Sequence, residues 1–150
     1  MQALTDPEAL RGHIDTMYSA IQVPGLTRRV FETSFGEGRI LVEYVVSPAL
    51  ANRAGFVQGG ACAVMLESCM SMVGAVKSGG LLSTPMVDFK VSLMRPVTVW
   101  VLTVRAQVVR MGRTLAFMEA SLMDSDGKVL ARASGTGMPK PVSASQEEQT

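Results

Sequence analysis

The sequence predicts an α+β fold in which a curved antiparallel sheet wraps around one long central helix. Three observations predict it. Residues 58–77, QGGACAVMLESCMSMVGAVK, are a near-unbroken apolar run behind two glycines, long enough for about four to five helical turns and apolar almost all the way round, as a buried helix is. Three later stretches alternate apolar and polar residues with period two, the pattern of half-buried strands, and a fourth strand follows them. No other segment is apolar enough to cover those strands, so the helix belongs inside the sheet. At 150 residues the chain suits one domain over 1–138, with a polar tail, expected to be disordered, over 139–150.

Taken in order, Asp6-Pro7-Glu8 opens a first helix over about 6–22: Thr5 or Asp6 caps it, Pro7 suits its first position and Glu8 complements the dipole. Leu10, Ile14, Met17, Tyr18 and Ile21 form its apolar face, Pro24-Gly25 ends it, and His13 reads as a surface or packing residue. Strands over 28–35 and 39–46 follow, joined at Gly36-Glu37-Gly38 as a hairpin. Pro48 stops the second strand, and the loop over 49–57 holds Asn52, Arg53 and Gly55 before the central helix. After Gly79-Gly80, Val87, Phe89, Val91 and Leu93 alternate with Asp88, Lys90 and Ser92 in a half-buried strand that Pro96 breaks. Leu102 to Val108 and Ala116 to Leu122 repeat the alternation across a turn at Met111-Gly112-Arg113. The Asp124–Gly127 turn leads into a last strand ending near Gly137. Sheet edges left over imply pairing with a second subunit.

Composition narrows the function. A net charge of +1, 18% charged residues, no Lys/Arg run and few aromatics (Phe 5, Tyr 2, Trp 1) argue against a nucleic-acid partner. Glu67 and Lys77 interrupt the longest apolar run, which argues against a membrane span, and the N-terminus has no basic region followed by an apolar core; a cytoplasmic location is the expectation. Cys62 and Cys69 sit seven residues apart on one helix, about 10 Å along its axis, too far for a disulfide, and read as reduced core thiols. His13 is the single histidine and has no Cys pair near it in sequence, so neither a metal cluster nor a Ser-His-Asp or Cys-His arrangement is expected.

The chemistry centres on Glu67, the one carboxylate in the oily helix. Helical spacing puts Gly60, Ala63, Glu67, Ser71 and Gly74 on one small or polar stripe. Two readings stand side by side. Either Glu67 is paired or hydrogen-bonded in the core, because an unpaired buried charge costs several kcal/mol, or the stripe leaves room for a ligand beside a carboxylate acting as base or nucleophile. The helix start, with free first-turn amides and Gly59-Gly60 letting a ligand approach the backbone, suits a developing oxyanion. The eleven methionines, Met65, Met70, Met72, Met86 and Met94 among them, are either flexible core filler or an adaptable pocket.

Four spaced motifs, N-R-A-G-F-V-Q-G-G-A-C-A-V-M-L-E, V-D-F-K-V-S-L-M-R-P, G-R-T-L-A-F and D-G-K-V-L-A-R-A-S-G-T, resemble the hotdog-fold acyl-CoA thioesterases of the phenylacetyl-CoA (PaaI) type. The resemblance spans about 35–138. It implies a hotdog homodimer with sites at the subunit interface, commonly paired into a homotetramer, acting on an acyl-CoA without further cofactor. By the same resemblance Glu67 is the catalytic acid, nucleophile or base. The Gly59 amide polarises the thioester carbonyl, with Gly60 beside it; Asn52 positions substrate or carboxylate across the interface, and the Ser71 hydroxyl orients the acid or the water. Where the family carries a histidine this chain has Gln58, which can still donate to a carbonyl oxygen but cannot relay a proton. Thr84 is a candidate substrate contact near the scissile bond. Cations for the coenzyme A phosphates come from Arg53, Lys90, Arg95, Arg110 and Arg113, with Arg113 and Arg53 first. A non-catalytic acyl-CoA-binding hotdog protein is the alternative, and a hotdog dehydratase fits less well because it resembles a histidine-dependent pattern.

Overall fold

The computed structural model describes residues 1–20 and 22–142. Its elements are α1 (Pro7–Met17), β1 (Leu26–Ser34), β2 (Arg39–Val46), a single 3-10 turn (Pro48–Leu50), α2 (Gly59–Lys77), β3 (Leu82–Ser83), β4 (Met86–Leu93), β5 (Val101–Met111), β6 (Ala116–Met123), β7 (Val129–Gly137) and β8 (Lys140–Pro141). β1, β2, β5, β6, β7 and β4, in that order, form one antiparallel sheet. This sheet folds around α2 in the hotdog arrangement.

The core lies between α2 and the inner sheet face. Met65, Leu66, Met70, Met72, Val73 and Val76 of the helix meet Val42, Leu102, Val104, Met118 and Leu122 of the strands, all with essentially no exposed surface. Each such side chain contributes about 1.5–3 kcal/mol on burial. By length and composition α2 could cross a membrane; here the sheet is its apolar surround. Three methionines of the central helix are thus core.

Three sequence expectations need correction. The first helix ends at Met17, with Tyr18 as its C-cap, rather than near 22. Thr16 donates its hydroxyl to the Gly12 carbonyl (3.0 Å) and Ser19 donates to the Thr16 carbonyl (2.8 Å), local bonds that compete with helix propagation, and Pro24 holds its predecessor in extended backbone. Ile21, expected on this helix's apolar face, lies outside the described residues. The strand carrying Val87, Phe89, Val91 and Leu93 is not half buried. β4 is an edge strand whose partner in the sheet is β7, and Val87 (56% exposed), Phe89 (42%) and Leu93 (55%) stand open. Finally, the tail begins later than 139. β8 pairs with β3, and the Val142 amide donates to the Leu81 carbonyl (3.1 Å); residues 143–150 lie outside the described residues.

The two sheet edges are treated differently. α1 covers β1: Leu10, Ile14 and Tyr18 are buried, and Thr33 of β1 donates its hydroxyl to the Pro7 carbonyl (3.1 Å). β4 has no such cover among the described residues.

Thr84 is wholly buried between Gly74 and Gly137, and a methyl group at Gly74 would overlap the threonine side chain. Glycine inside a helix gives up about 1 kcal/mol relative to alanine, whereas overpacking a tight core costs about 1–3 kcal/mol. Gly74→Ala therefore lowers unfolding free energy in a urea titration, and adding Thr84→Ala recovers part of the loss; a stabilised Gly74→Ala would contradict this packing.

Candidate functional site

The site grows from the start of α2. Gln58 is the N-cap in extended backbone; its carbonyl accepts from the amides of Ala61 (3.0 Å) and Cys62 (3.2 Å), while its exposed side chain caps nothing. Among the described residues the amides of Gly59 and Gly60 have no backbone acceptor. They form the positive end of the helix dipole.

The preceding loop is built by Asn52. Its Oδ1 accepts from the amides of Ala54 (2.9 Å) and Phe56 (3.0 Å), and its own amide donates to the Phe56 carbonyl (2.7 Å). The side-chain oxygen is thereby occupied in shaping the turn, which leaves the NH2 group for anything bound nearby. A cleft of about 300 Å³ opens here, lined by Asn52, Phe56, Val57, Gly59, Cys62, Leu93, Met94, Arg95, Pro96 and Val97. Leu93 of β4 packs against the helix tip, where a Cβ on Gly59 would sit 2.6 Å from its Cδ1 and push the leucine side chain aside. Gly60 is exposed on the same turn. Arg53, Lys90 and Arg113 are exposed and outside the lining, and the cation that lines the cleft is Arg95.

Glu67 lies two turns farther along, about 12 Å from Gly59 at 1.5 Å per residue. It is half-buried and, among the described residues, has neither a hydrogen bond nor an ion pair. Burial holds its carboxyl above the ordinary value of 4.5. The reading in which a core cation neutralises this acid is therefore not what the described residues form.

Around Glu67 stand groups from three other elements. Tyr18, buried at the end of α1, donates its hydroxyl to the Ser71 carbonyl (3.2 Å), one turn beyond Glu67. Burial pushes this phenol up, the Ser71 contact opposes that, and the Glu67 charge adds to the rise. Tyr44 of β2 lies 3.5 Å from the Cys69 sulfur; burial pushes the phenol up and the thiol up to about 12. Arg28 of β1 donates to the Tyr18 carbonyl (3.1 Å) and is close enough to favour the ionised forms of Tyr18, Tyr44 and Cys69. The Ser71 hydroxyl donates to the Thr84 carbonyl (3.1 Å), so what it can offer a water is a lone pair. Thr84 itself is enclosed, its hydroxyl without a partner among the described residues; it packs the helix rather than lining the cleft.

One chain thus brings Asn52, Gly59 and Arg95 together at the cleft and leaves Glu67 and Ser71 outside its lining, farther along α2. Sequence reasoning did not single out Tyr18 and Tyr44. Tyr18 was legible only as an apolar-face residue of the first helix, and nothing in strand alternation marks Tyr44 as a neighbour of Cys69.

The fold is a hotdog with open amides at the helix tip and, on the same helix, an acid that is unpaired among the described residues. The sequence profile of the thioesterase superfamily matches residues 54–131, and the chain belongs to that superfamily. The Thermoplasma acidophilum protein Ta0293, assigned by name to the esterases, is 23% identical over 114 residues, covering 75% of this chain and 86% of its own. The phenylacetic acid degradation-related protein of Ralstonia eutropha JMP134 superposes with a TM-score of 0.70 at 26% identity, over 84% of this chain and 98% of its own. Protein smu.793 of Streptococcus mutans, solved with acetyl CoA bound, shares the fold at a TM-score of 0.69 and 17% identity, over 81% of this chain and 94% of its own.

Because its folded-state pKa is raised, Glu67 binds a proton more tightly in the native chain than in the unfolded one. Stability from this group is present in full below the unfolded pKa of about 4.5 and is lost as pH rises through the higher folded value. Glu67→Gln therefore raises the thermal midpoint at neutral pH, and the gain shrinks toward zero below about pH 4.5, as calorimetry at both pH values would record.

Proposed function

We propose that the protein is an acyl-CoA thioesterase, hydrolysing the thioester of a small or medium acyl-CoA, aromatic acyl groups included, to the free acid and coenzyme A. The reading is carried by the carboxylate of Glu67, half-buried and unpaired among the described residues on an otherwise apolar helix. Membership of the thioesterase superfamily and the acetyl CoA held by the Streptococcus mutans neighbour support it.

In this reading the helix tip and the acid that act on one carbonyl come from different chains, since about 12 Å of helix rise separates Gly59 from Glu67 within one chain. A homodimer joined at the bare edge of β4 supplies the missing half-site and covers Val87, Phe89, Leu93 and Met94. Pairs of such dimers form the tetramer.

In this mechanism the Gly59 N–H donates a hydrogen bond to the thioester oxygen as negative charge develops there. Glu67 of the facing subunit removes a proton from water as the water oxygen bonds to the carbonyl carbon. Collapse of the tetrahedral adduct breaks the C–S bond, and the thiolate leaves and takes its proton from solvent. A thiolate is a good leaving group, so no histidine acid is required and Gln58 needs only to donate a hydrogen bond. Attack by Glu67 itself, through an anhydride, uses the same groups. Arg95 at the cleft mouth, with Arg53, Lys90 and Arg113 farther out, attracts the coenzyme A phosphates. No cofactor beyond the coenzyme A of the substrate takes part. The buried free thiols Cys62 and Cys69 suit a reducing cytoplasmic setting.

Glu67→Gln lowers kcat by roughly 10²–10⁴ in a thiol-release assay across short, medium and aromatic acyl-CoAs, while binding persists. In the wild type kcat/KM rises with pH through a value above 4.5, because the ionised carboxylate is the working form. Retained turnover in Glu67→Gln would refute the mechanism, and tight binding with no thiol release by the wild type would identify a binding protein instead. Phe89→Glu, which puts a charge on the bare strand, yields a monomer by sedimentation and abolishes turnover; an active monomer would refute the shared site.

A further inference from the structure

We infer that β4 pairs with its own copy in one register, centred on Phe89, in which Asp88 of each chain faces Lys90 of the partner subunit. The inference rests on the reading above, in which two chains join at β4. The strand is ready for a ladder on its outer side. The Met94 amide donates inward to the Leu130 carbonyl (3.0 Å), and no register shift interrupts the pairing with β7 from Asp88 to Leu93, so alternation turns the amides and carbonyls of Phe89, Val91 and Leu93 outward. Asp88 and Lys90 are exposed on the other face of the strand from Phe89, opposite Thr136 and Ser134, and among the described residues neither has an ion pair.

An antiparallel strand paired with its copy about a two-fold axis has one residue facing itself, because opposite side chains point to the same face. The charges choose among the candidates. An axis at Asp88 or Lys90 sets like charges directly opposite each other. An axis at Val91 sets Lys90 against Ser92 of the partner subunit and Asp88 against Met94 of the partner subunit, which leaves both charges without a counter-charge. An axis at Phe89 gives two ion pairs, Asp88 with the partner's Lys90 and Lys90 with the partner's Asp88. Both pairs fall at non-hydrogen-bonded positions, where opposite Cα atoms are about 4.5 Å apart and side chains are closest. Phe89 also stands next to the midpoint of Met86–Leu93, so this register keeps nearly the whole strand paired, whereas axes nearer either end give up ladder.

The same register completes the cleft. Leu93 packs against the tip of α2 at Gly59, and opposite Leu93 comes the start of the facing strand, at the partner's Pro85 and the partner's Met86. Within each chain that start is tied to the turn that carries the acid: the Ser71 hydroxyl, one turn past Glu67, donates to the Thr84 carbonyl (3.1 Å). Centring on Phe89 thereby draws the partner's Glu67 toward the glycine tip of the first chain. Moving the axis by two residues slides one strand past the other by four, about 13 Å, and carries the acid away from the tip.

The test uses full-length chains with charge reversals at these two exposed positions. By sedimentation equilibrium, Asp88→Lys and Lys90→Asp should each self-associate about 10-fold more weakly than the wild type, since each puts like charges opposite one another twice in the dimer. Mixed in equal amounts, the two variants should recover the wild-type affinity, because every facing pair in the mixed dimer joins a lysine to an aspartate. The double reversal Asp88→Lys/Lys90→Asp should recover it on its own. Phe89→Cys should give a disulfide-linked dimer on oxidation, and Lys90→Cys and Val91→Cys should not. Self-association unmoved by either reversal, a mixture no tighter than its components, or crosslinking through Lys90→Cys or Val91→Cys in place of Phe89→Cys would overturn the register and leave the shared site standing. A wild type that stays monomeric would remove both together. Thiol release from an acyl-CoA by the wild type, measured alongside, reports on the enzymatic reading alone: its absence with the expected association pattern removes that reading and leaves the register in place.

Discussion

The structure depends on keeping most of one helix dry while leaving one stripe of it partly wet. The sheet closes around α2 so that Met65, Leu66, Met70, Met72 and Val73 touch no solvent, while Ala63, Val64, Glu67, Ser68 and Ser71 stay partly exposed. Glu67 is the one acid on that stripe. A carboxylate in such surroundings loses hydration without gaining a partner, which is why its proton is held more tightly than in a free side chain. Small neighbours on the same stripe permit this arrangement, because they do not wall the acid off from water. The helix is stabilised everywhere except at the position where chemistry is expected, a distribution in which activity and stability pull in opposite directions.

The two ends of the sheet complete the arrangement. β1 is capped by α1, with Thr33 and Pro7 bonded and Leu10 and Ile14 buried, so that edge is finished within the chain. β4 keeps an open edge with apolar side chains, and its Leu93 touches the glycine-rich tip of α2. The unfinished edge therefore adjoins the cleft. Any partner that completes the sheet also completes the wall of the cleft, which couples assembly to the site through ordinary strand pairing.

Much of this could be read in the residues. The apolar run of α2, the alternation of β2, β5 and β6, and the lone acid on an oily helix are local patterns, and periodicity reports local patterns well. Strand order is a different kind of information. The alternation in β4 is as clean as any in the chain, yet it records only that one face differs from the other; that its in-chain neighbour is β7 and that its apolar face lies open come from the topology. The early end of α1 depends on hydroxyl bonds from Thr16 and Ser19 that propensity does not weigh, and β8 exists because Leu82 and Ser83 offer it an edge. For the site, Glu67 and Gly59 were legible from residue type and spacing. Tyr18, Tyr44 and Arg28 were not, since their meeting is a product of three elements far apart in sequence. Arg95 was one cation among five until the cleft singled it out.

The pairing of β4 with β7 also bears on how the chain is made. β4 leaves a ribosome well before its neighbour: Leu93 must wait for Ala131, and Met86 for Gly137. In that interval both edges of an apolar strand are unsatisfied, while α2 has already emerged without the sheet that later encloses it. Nascent chains of this protein thus pass through a vulnerable stage in which holdase chaperones have a natural target, and slow synthesis lengthens the exposure.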